Sequence, residues 1–279
     1  MKMPLKYFSA KRIFFLILGV LLAVFVFAIP PFQKPDEPLH FKRAFALSMG
    51  QITCKHSREY SRGYFTYPKS VDAFPDAMLS QAIIMKPEGK YPLSLFFRSY
   101  PIDLMRAVDL PYNCTLPFTG YIPLSLGILF TLPINNLLIS FYGARLTAAL
   151  VFFLSILFCF RILPKRYWYI LGFSSVLPMV LQQVTAVSYD SLAISLGCIL
   201  FSLFMRFLEK KALRLRELIL FYIILLVFLF TKPGYYLFSL VSLILLNRVY
   251  TSWIKKWILA GIMIIGIVAI SWYSLTLPI

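Results

Sequence analysis

The sequence predicts an all-α, multi-pass membrane protein of about seven transmembrane helices with one large extracytoplasmic loop. Three observations carry this reading. Of 279 residues, 60% are hydrophobic, 17% aromatic and only 14% charged, where an ordinary soluble domain carries about 25% charged residues. The apolar residues gather into runs, several of which reach the roughly 20 residues that cross a bilayer as a helix. The charge is lopsided: 28 Lys and Arg face 11 Asp and Glu, a net of +17. Disordered, fibrous and ordinary soluble classes are excluded by this composition. In a soluble chain such a basic excess points to nucleic acid, whereas in a membrane chain it marks cytoplasmic segments.

The elements follow in order. Residues 1–12 hold Lys2, Lys6, Lys11 and Arg12 and read as a cytoplasmic N-terminus. The apolar run 13–29 resembles a signal peptide in its basic start, but Pro30-Pro31 stands where a small-residue cleavage site is needed. It is read as a retained first span. Residues 30–120 contain 11 of the 18 prolines, 8 of the 11 acids and 11 of the 28 basic residues. That mixture belongs outside lipid, so the stretch is read as a folded extracytoplasmic loop, with helices expected over 36–49, stopped by Gly50, and 71–85.

The membrane domain, 121–279, resumes with 121–133, too short to span and therefore read as a re-entrant or surface-lying helix. Six further spans are expected at about 137–160, 168–185, 191–207, 217–231, 234–248 and 256–275. With this parity the cytoplasmic segments hold 15 basic residues against Glu209 and Glu217, a net of +13, while the large loop nets +3. Most of the basic excess is thus an orientation signal in a cytoplasmic (inner) membrane. Nucleic acid is not needed as a partner; membrane lipids are.

Cys54 and Cys114 both fall in the large loop, where an oxidising compartment permits a disulfide. Cys159 and Cys198 fall in spans and read as apolar packers. No Cys/His metal spacing and no phosphate-binding glycine loop is present.

Polar residues near the outer face cluster twice. In Lys34-Pro35-Asp36-Glu37-Pro38-Leu39-His40-Phe41-Lys42-Arg43, helical spacing places Asp36, His40 and Arg43 on one face, with Glu37 one position off. Two readings stand for this cluster. Asp36 is a good N-cap, and the acids would then favour the helix dipole and pair with His40 or Arg43. Alternatively an acid serves as general base, with His40 and Arg43 as cations for a phosphate. The second cluster runs from Gln182 to Asp190, where Ser188 or Asp190 either caps the next span or faces the same cavity as Asp36. Arg145 lies inside the second span, a costly placement that marks function unless a structural partner holds it. Lys232, in the break Thr231-Lys232-Pro233-Gly234, suits an anionic headgroup or snorkels to the surface.

These residues carry a resemblance. Pro35-Asp36-Glu37-x-x-His40-Phe41-x-Arg43-Ala44, followed by Gly50-Gln51, is similar to the hallmark of a bacterial family of predicted membrane proteins with a domain of unknown function, placed in the GT-C glycosyltransferase superfamily. Tyr121-Ile122-Pro123 with Gly127, Tyr142 to Leu146, Leu177-Pro178-Met179 with Gln182, Ser188-Tyr189-Asp190, and Lys232 to Tyr235 support it in order along the chain.

The resemblance implies a GT-C-like fold and transfer of a sugar from a polyprenyl-phosphate donor, at the outer face of the membrane, to an envelope glycan, lipid or protein. Asp36, Glu37 and Asp190 are implied as catalytic acids; His40, Arg43, Arg145, Gln182 and Lys232 are taken as substrate-binding. A divalent metal, Mg2+ or Mn2+, stays open, with Asp36 and Glu37 as its ligands. The family's members continue with further spans, so a C-terminally truncated form is expected. A lipid or solute transporter, or a non-catalytic membrane assembly protein, is the alternative. Donor sugar, acceptor and oligomeric state are not legible in the residues.

Overall fold

The computed structural model describes residues 5–34, 36–57, 63–78, 91–111, 117–232 and 235, with positions 244, 245, 261, 264–266 and 268 beyond them. The described chain is mainly helical. Helix α1 (Leu5–Phe27) leads through a loop into α2 (Glu37–Ser48). Strand β1 (Tyr64–Pro68) runs directly into α3 (Lys69–Ala77) and pairs antiparallel with β2 (Ala107–Pro111), Tyr64 opposite Pro111. Then come α4 (Ile122–Thr131), α5 (Leu137–Ile162), α6 (Trp168–Ser175), α7 (Pro178–Val184), α8 (Asp190–Leu208) and α9 (Leu215–Thr231).

Among the described residues three helices are long and apolar enough to cross a membrane: Ala10–Phe27, Leu137–Ile162 and Asp190–Leu208. Helix α9 has 17 residues. The spans expected at 234–248 and 256–275 lie almost wholly outside the described residues. One expected span is interrupted. Residues 168–185 form two helices, broken at Val176-Leu177, because a residue before proline is pushed out of the helical region and Leu177 accordingly takes ψ 133.

Helix α4 folds back along the start of α5, and the two touch backbone to backbone. A Cβ on Gly127 would lie 2.3 Å from the Gly143 carbonyl oxygen, and one on Gly143 would lie 2.6 Å from that of Gly127. Small residues that let backbones meet are how helices associate where lipid offers no hydrophobic drive.

Helix α5 is the central post. Its far half packs on α1 through Phe152, Ile156 and Phe160, with Leu18, Leu22 and Val26 opposite. Its first turns enter an aromatic core with Phe32, Phe41, Phe45, Phe74, Tyr121 and Phe141. Helices α8 and α9 close the other side through Leu200, Leu203, Phe221 and Leu225. Helix α2 itself packs on α4, the Phe118–Tyr121 turn, β1 and α3.

Candidate functional site

The loop from α1 to α2 is strained. Phe32 and Asp36 both take a left-handed backbone, φ 61 and φ 56, a conformation that costs any residue with a side chain and persists only where the surroundings enforce it. The surroundings here are specific. The Phe32 ring is fully buried against Phe41, Phe74 and Phe141, and its N–H donates to Glu37 Oε2 at 3.1 Å. Lys34, also buried, donates to Thr185 Oγ1 at 2.7 Å. Burial, helped by nearby Arg145 and opposed by Glu37, pulls the Lys34 ammonium down to about 7.

Glu37 is enclosed. Its carboxylate takes the Arg145 guanidinium side-on, Nε to Oε1 at 2.9 Å and Nη2 to Oε2 at 2.8 Å. The Val187 N–H completes the set at 3.0 Å, so with Phe32 four protein donors fill it. Both side chains are 0% exposed. Arg145 also donates to the carbonyls of Val26, Ile29 and Pro30. Carbonyls at a helix C-terminus lack helical partners and sit at the negative end of the dipole, so a guanidinium is the natural cap. One ion pair thus ties together α1, α2, α5 and the 185–189 turn.

Asp36, next in sequence, is exposed and behaves oppositely. It stands at the start of α2 but its side chain makes no capping bond, contrary to the N-cap expectation, because the left-handed backbone turns the carboxylate away from the first-turn N–H groups. Among the described residues its carboxylate has no hydrogen-bond partner. One turn on, His40 Nδ1 lies 2.8 Å from the Tyr121 hydroxyl, and its ring meets Tyr189 edge-on at 5.0 Å. Burial lowers the His40 pKa; Asp36, Asp190 and Glu37 pull it up, and Lys232 pushes it down again. The charged groups of both sequence clusters therefore act on one imidazole.

Asp190 and Lys232 form the second pair, Oδ1 to Nζ at 2.6 Å, with 23% and 29% of the side chains exposed. Burial works to lower the Lys232 pKa, but the Asp190 carboxylate outweighs it and the net direction is up. The ammonium sits over the rings of Tyr189 (5.5 Å) and Tyr235 (5.1 Å). Pair and aromatic ring border a cavity of about 370 Å3. Gln183, Asp190, Lys232 and Tyr235 make its polar end; Ala193, Ile194, Gly197 and Phe228 make the apolar end. The turn before α4 threads tightly beside it: a Cβ on Gly120 would lie 2.4 Å from that of Tyr189, and Thr119 Oγ1 donates to the Phe230 carbonyl.

Other expected site residues are placed elsewhere. The Arg43 guanidinium donates to the Gln51 and Ile52 carbonyls and stacks over Phe65 at 4.2 Å, bracing the chain after α2. Gln183, not its neighbour Gln182, lines the cavity. Cys54 is disulfide-bonded; its expected partner Cys114 lies outside the described residues. Of the two acids expected as metal ligands, Glu37 has its lone pairs filled and only Asp36 keeps its carboxylate open; among the described residues no cluster of three or more His, Cys, Asp or Glu could hold a metal ion.

Lys34, Tyr121, Gln183, Tyr189 and Tyr235 join the site without having been singled out as site residues. Their one sequence signal is position within the motif segments. No curated protein and no solved structure matches the chain. A family model, however, runs from residue 18 to residue 278 and takes in every residue of this constellation, so the chain belongs to the family described as predicted membrane protein (DUF2142).

Proposed function

We propose that the protein is a membrane glycosyltransferase of the GT-C type, taking its sugar from a polyprenyl-phosphate donor at the outer face of the cytoplasmic membrane. The observation that carries the reading is the Asp36 carboxylate, which has no hydrogen-bond partner among the described residues, is held out by a strained loop, and acts on the same His40 and Tyr189 side chains as the cavity-lining Asp190–Lys232 pair.

The chemistry needs three parts. An acceptor hydroxyl must lose its proton as its oxygen bonds the anomeric carbon, and Asp36 is the available base. The bond from that carbon to the phosphate oxygen breaks, and the departing lipid phosphate keeps the electron pair. Lys232 has three donors and gives one to Asp190; the other two, without a hydrogen-bond partner among the described residues, are offered to that phosphate. A cavity with a charged end and an apolar end suits a ligand built the same way. Glu37, Arg145 and Arg43 act as positioning residues. The transporter alternative needs ionisable groups lining a path through the spans, and Arg145 spends its guanidinium on Glu37 and three carbonyls.

A transfer assay tests this, with membranes containing the protein and a radiolabelled polyprenyl-phosphate sugar. Asp36→Asn is expected to lower transfer by about 10²–10⁴, the range of a lost general base, at unchanged protein level. Transfer equal to wild type in that variant overturns the assignment.

A further inference from the structure

A different part of the molecule departs from what a water-facing loop should look like. Met105 and Phe97, 94% and 89% exposed, are the most exposed large apolar side chains among the described residues, and Leu93 and Leu104 in the same segment are 73% and 62% exposed. Scattered single apolar residues are ordinary on a surface, whereas a group of them marks an interaction site.

These four lie on one segment that the backbone holds in place. The Leu137 N–H donates to the Tyr100 carbonyl at 2.8 Å, and the Ile102 N–H donates to Asn135 Oδ1 at 3.0 Å. Both bonds fasten the 93–105 segment to the turn between α4 and α5. Exposed apolar side chains flank the same place, Ile134 in the turn at 56% and Phe130 in the last turn of α4 at 76%. Below it, α5 shows Leu146, Leu150, Leu154 and Phe158, four apart and all exposed, the lipid-facing stripe of a spanning helix. Exposed apolar side chains thus recur from the middle of α5, through Phe130 and Ile134, to the 93–105 segment fastened beside them.

Length sets the height of the tip. At 1.5 Å per residue the 26 residues of α5 reach about 39 Å, against a hydrocarbon core of about 30 Å and roughly 40–45 Å with headgroups. Centred on the bilayer, a helix of that length puts its first turns, and the segment bound to them, at headgroup depth. The same segment carries exposed Arg98 and Arg106, the latter only loosely paired with Asp103 at 3.7 Å. Apolar side chains edged by cations are the composition that seats a segment at the boundary of an anionic leaflet.

We infer that Leu93, Phe97, Leu104 and Met105 insert into the leaflet on the α2 side of the membrane, with Arg98 and Arg106 on its headgroups. The segment is a membrane anchor that fixes the height and tilt of the α2 domain, independently of the transferase reading.

Photocrosslinking tests this on the full chain reconstituted in phosphatidylethanolamine–phosphatidylglycerol vesicles. The photoreactive residue p-benzoyl-phenylalanine replaces Phe97 or Met105 singly, with Leu150 as a lipid-facing reference and the exposed Lys55 as a water-facing one. Lipid-mass adducts are expected at 97 and 105 as at 150 and not at 55, attached within about 5–10 Å of the headgroup boundary. Lipid adducts at 150 with none at 97 and 105 overturn the inference, as do protein–protein adducts at 97 and 105, which would assign the patch to a protein partner.

Discussion

Two carboxylate–cation pairs stand at the same end of this molecule, and they do opposite things. Glu37–Arg145 is 0% exposed on both sides, with every carboxylate lone pair filled and the guanidinium spread over three further carbonyls. Asp190–Lys232 shares one hydrogen bond, with only Ser188 among the described residues on the other carboxylate oxygen and two tyrosine rings under the ammonium, keeps a quarter of its side-chain surface open, and borders a cavity. A saturated pair has no capacity left for a ligand and holds backbone in place. An unsaturated one can exchange partners. Which role a conspicuous charge plays is decided by its count of free donors and acceptors, not by its being charged or buried.

Removing one member of the enclosed pair is the most damaging way to break this contrast. Arg145→Ala strands a buried carboxylate and frees three carbonyls, so a loss of about 3–5 kcal/mol is expected, read as collapse of folded protein in detergent. The double variant Glu37→Leu/Arg145→Met removes both charges and is expected to recover part of the loss. Equal stability of wild type and Arg145→Ala would remove the pair's scaffold role.

The next effect is steric. Gly127→Leu puts a side chain where the Gly143 carbonyl stands 2.3 Å from the would-be Cβ. An overpacking cost of about 1–3 kcal/mol is expected, with melting temperature in detergent as the readout. Breaking the open pair should matter far less to the fold: Lys232→Met is expected to cost about 1 kcal/mol or less in stability while transfer falls sharply. A large drop in melting temperature with transfer per folded molecule intact would make the two pairs alike.

The smallest effect is a pH slope. A lysine whose folded pKa is about 7 and whose ordinary value is 10.5 binds fewer protons folded than unfolded between those values. Stability should therefore rise with pH across that window, and Lys34→Met should flatten the rise. His40, also lowered, extends the same sign of slope below its ordinary 6.5. Melting temperatures from pH 6 to pH 10 in both proteins check this.

Much of the frame was legible beforehand. The helix expected over 36–49 forms as Glu37–Ser48, and Gly50 ends it with φ 83. Where spans are expected at 137–160 and 191–207, helices Leu137–Ile162 and Asp190–Leu208 form, both long and apolar enough to cross a membrane. The partners were not legible. Glu37 meets Arg145 across 108 positions, and no local pattern carries that distance. The left-handed turn at Asp36 depends on Phe32 and Glu37 being buried, which is a tertiary fact. Gln183 rather than Gln182 reaches the cavity because the break at Leu177 starts α7 afresh and resets which side each residue faces. Lys34 carries no local mark beyond its place at the head of the first polar cluster, because its burial is set by tertiary packing.

The most direct measurement sets the two adjacent acids side by side. Asp36→Asn and Glu37→Gln are purified, and each is measured for melting temperature and for sugar transfer per folded molecule. The expected result is a crossed pattern: Asp36→Asn melts like wild type and loses transfer, whereas Glu37→Gln melts far lower. If Glu37→Gln melts like wild type while Asp36→Asn transfers sugar at the wild-type rate, the division into a free acid that does chemistry and a locked acid that holds the fold is contradicted.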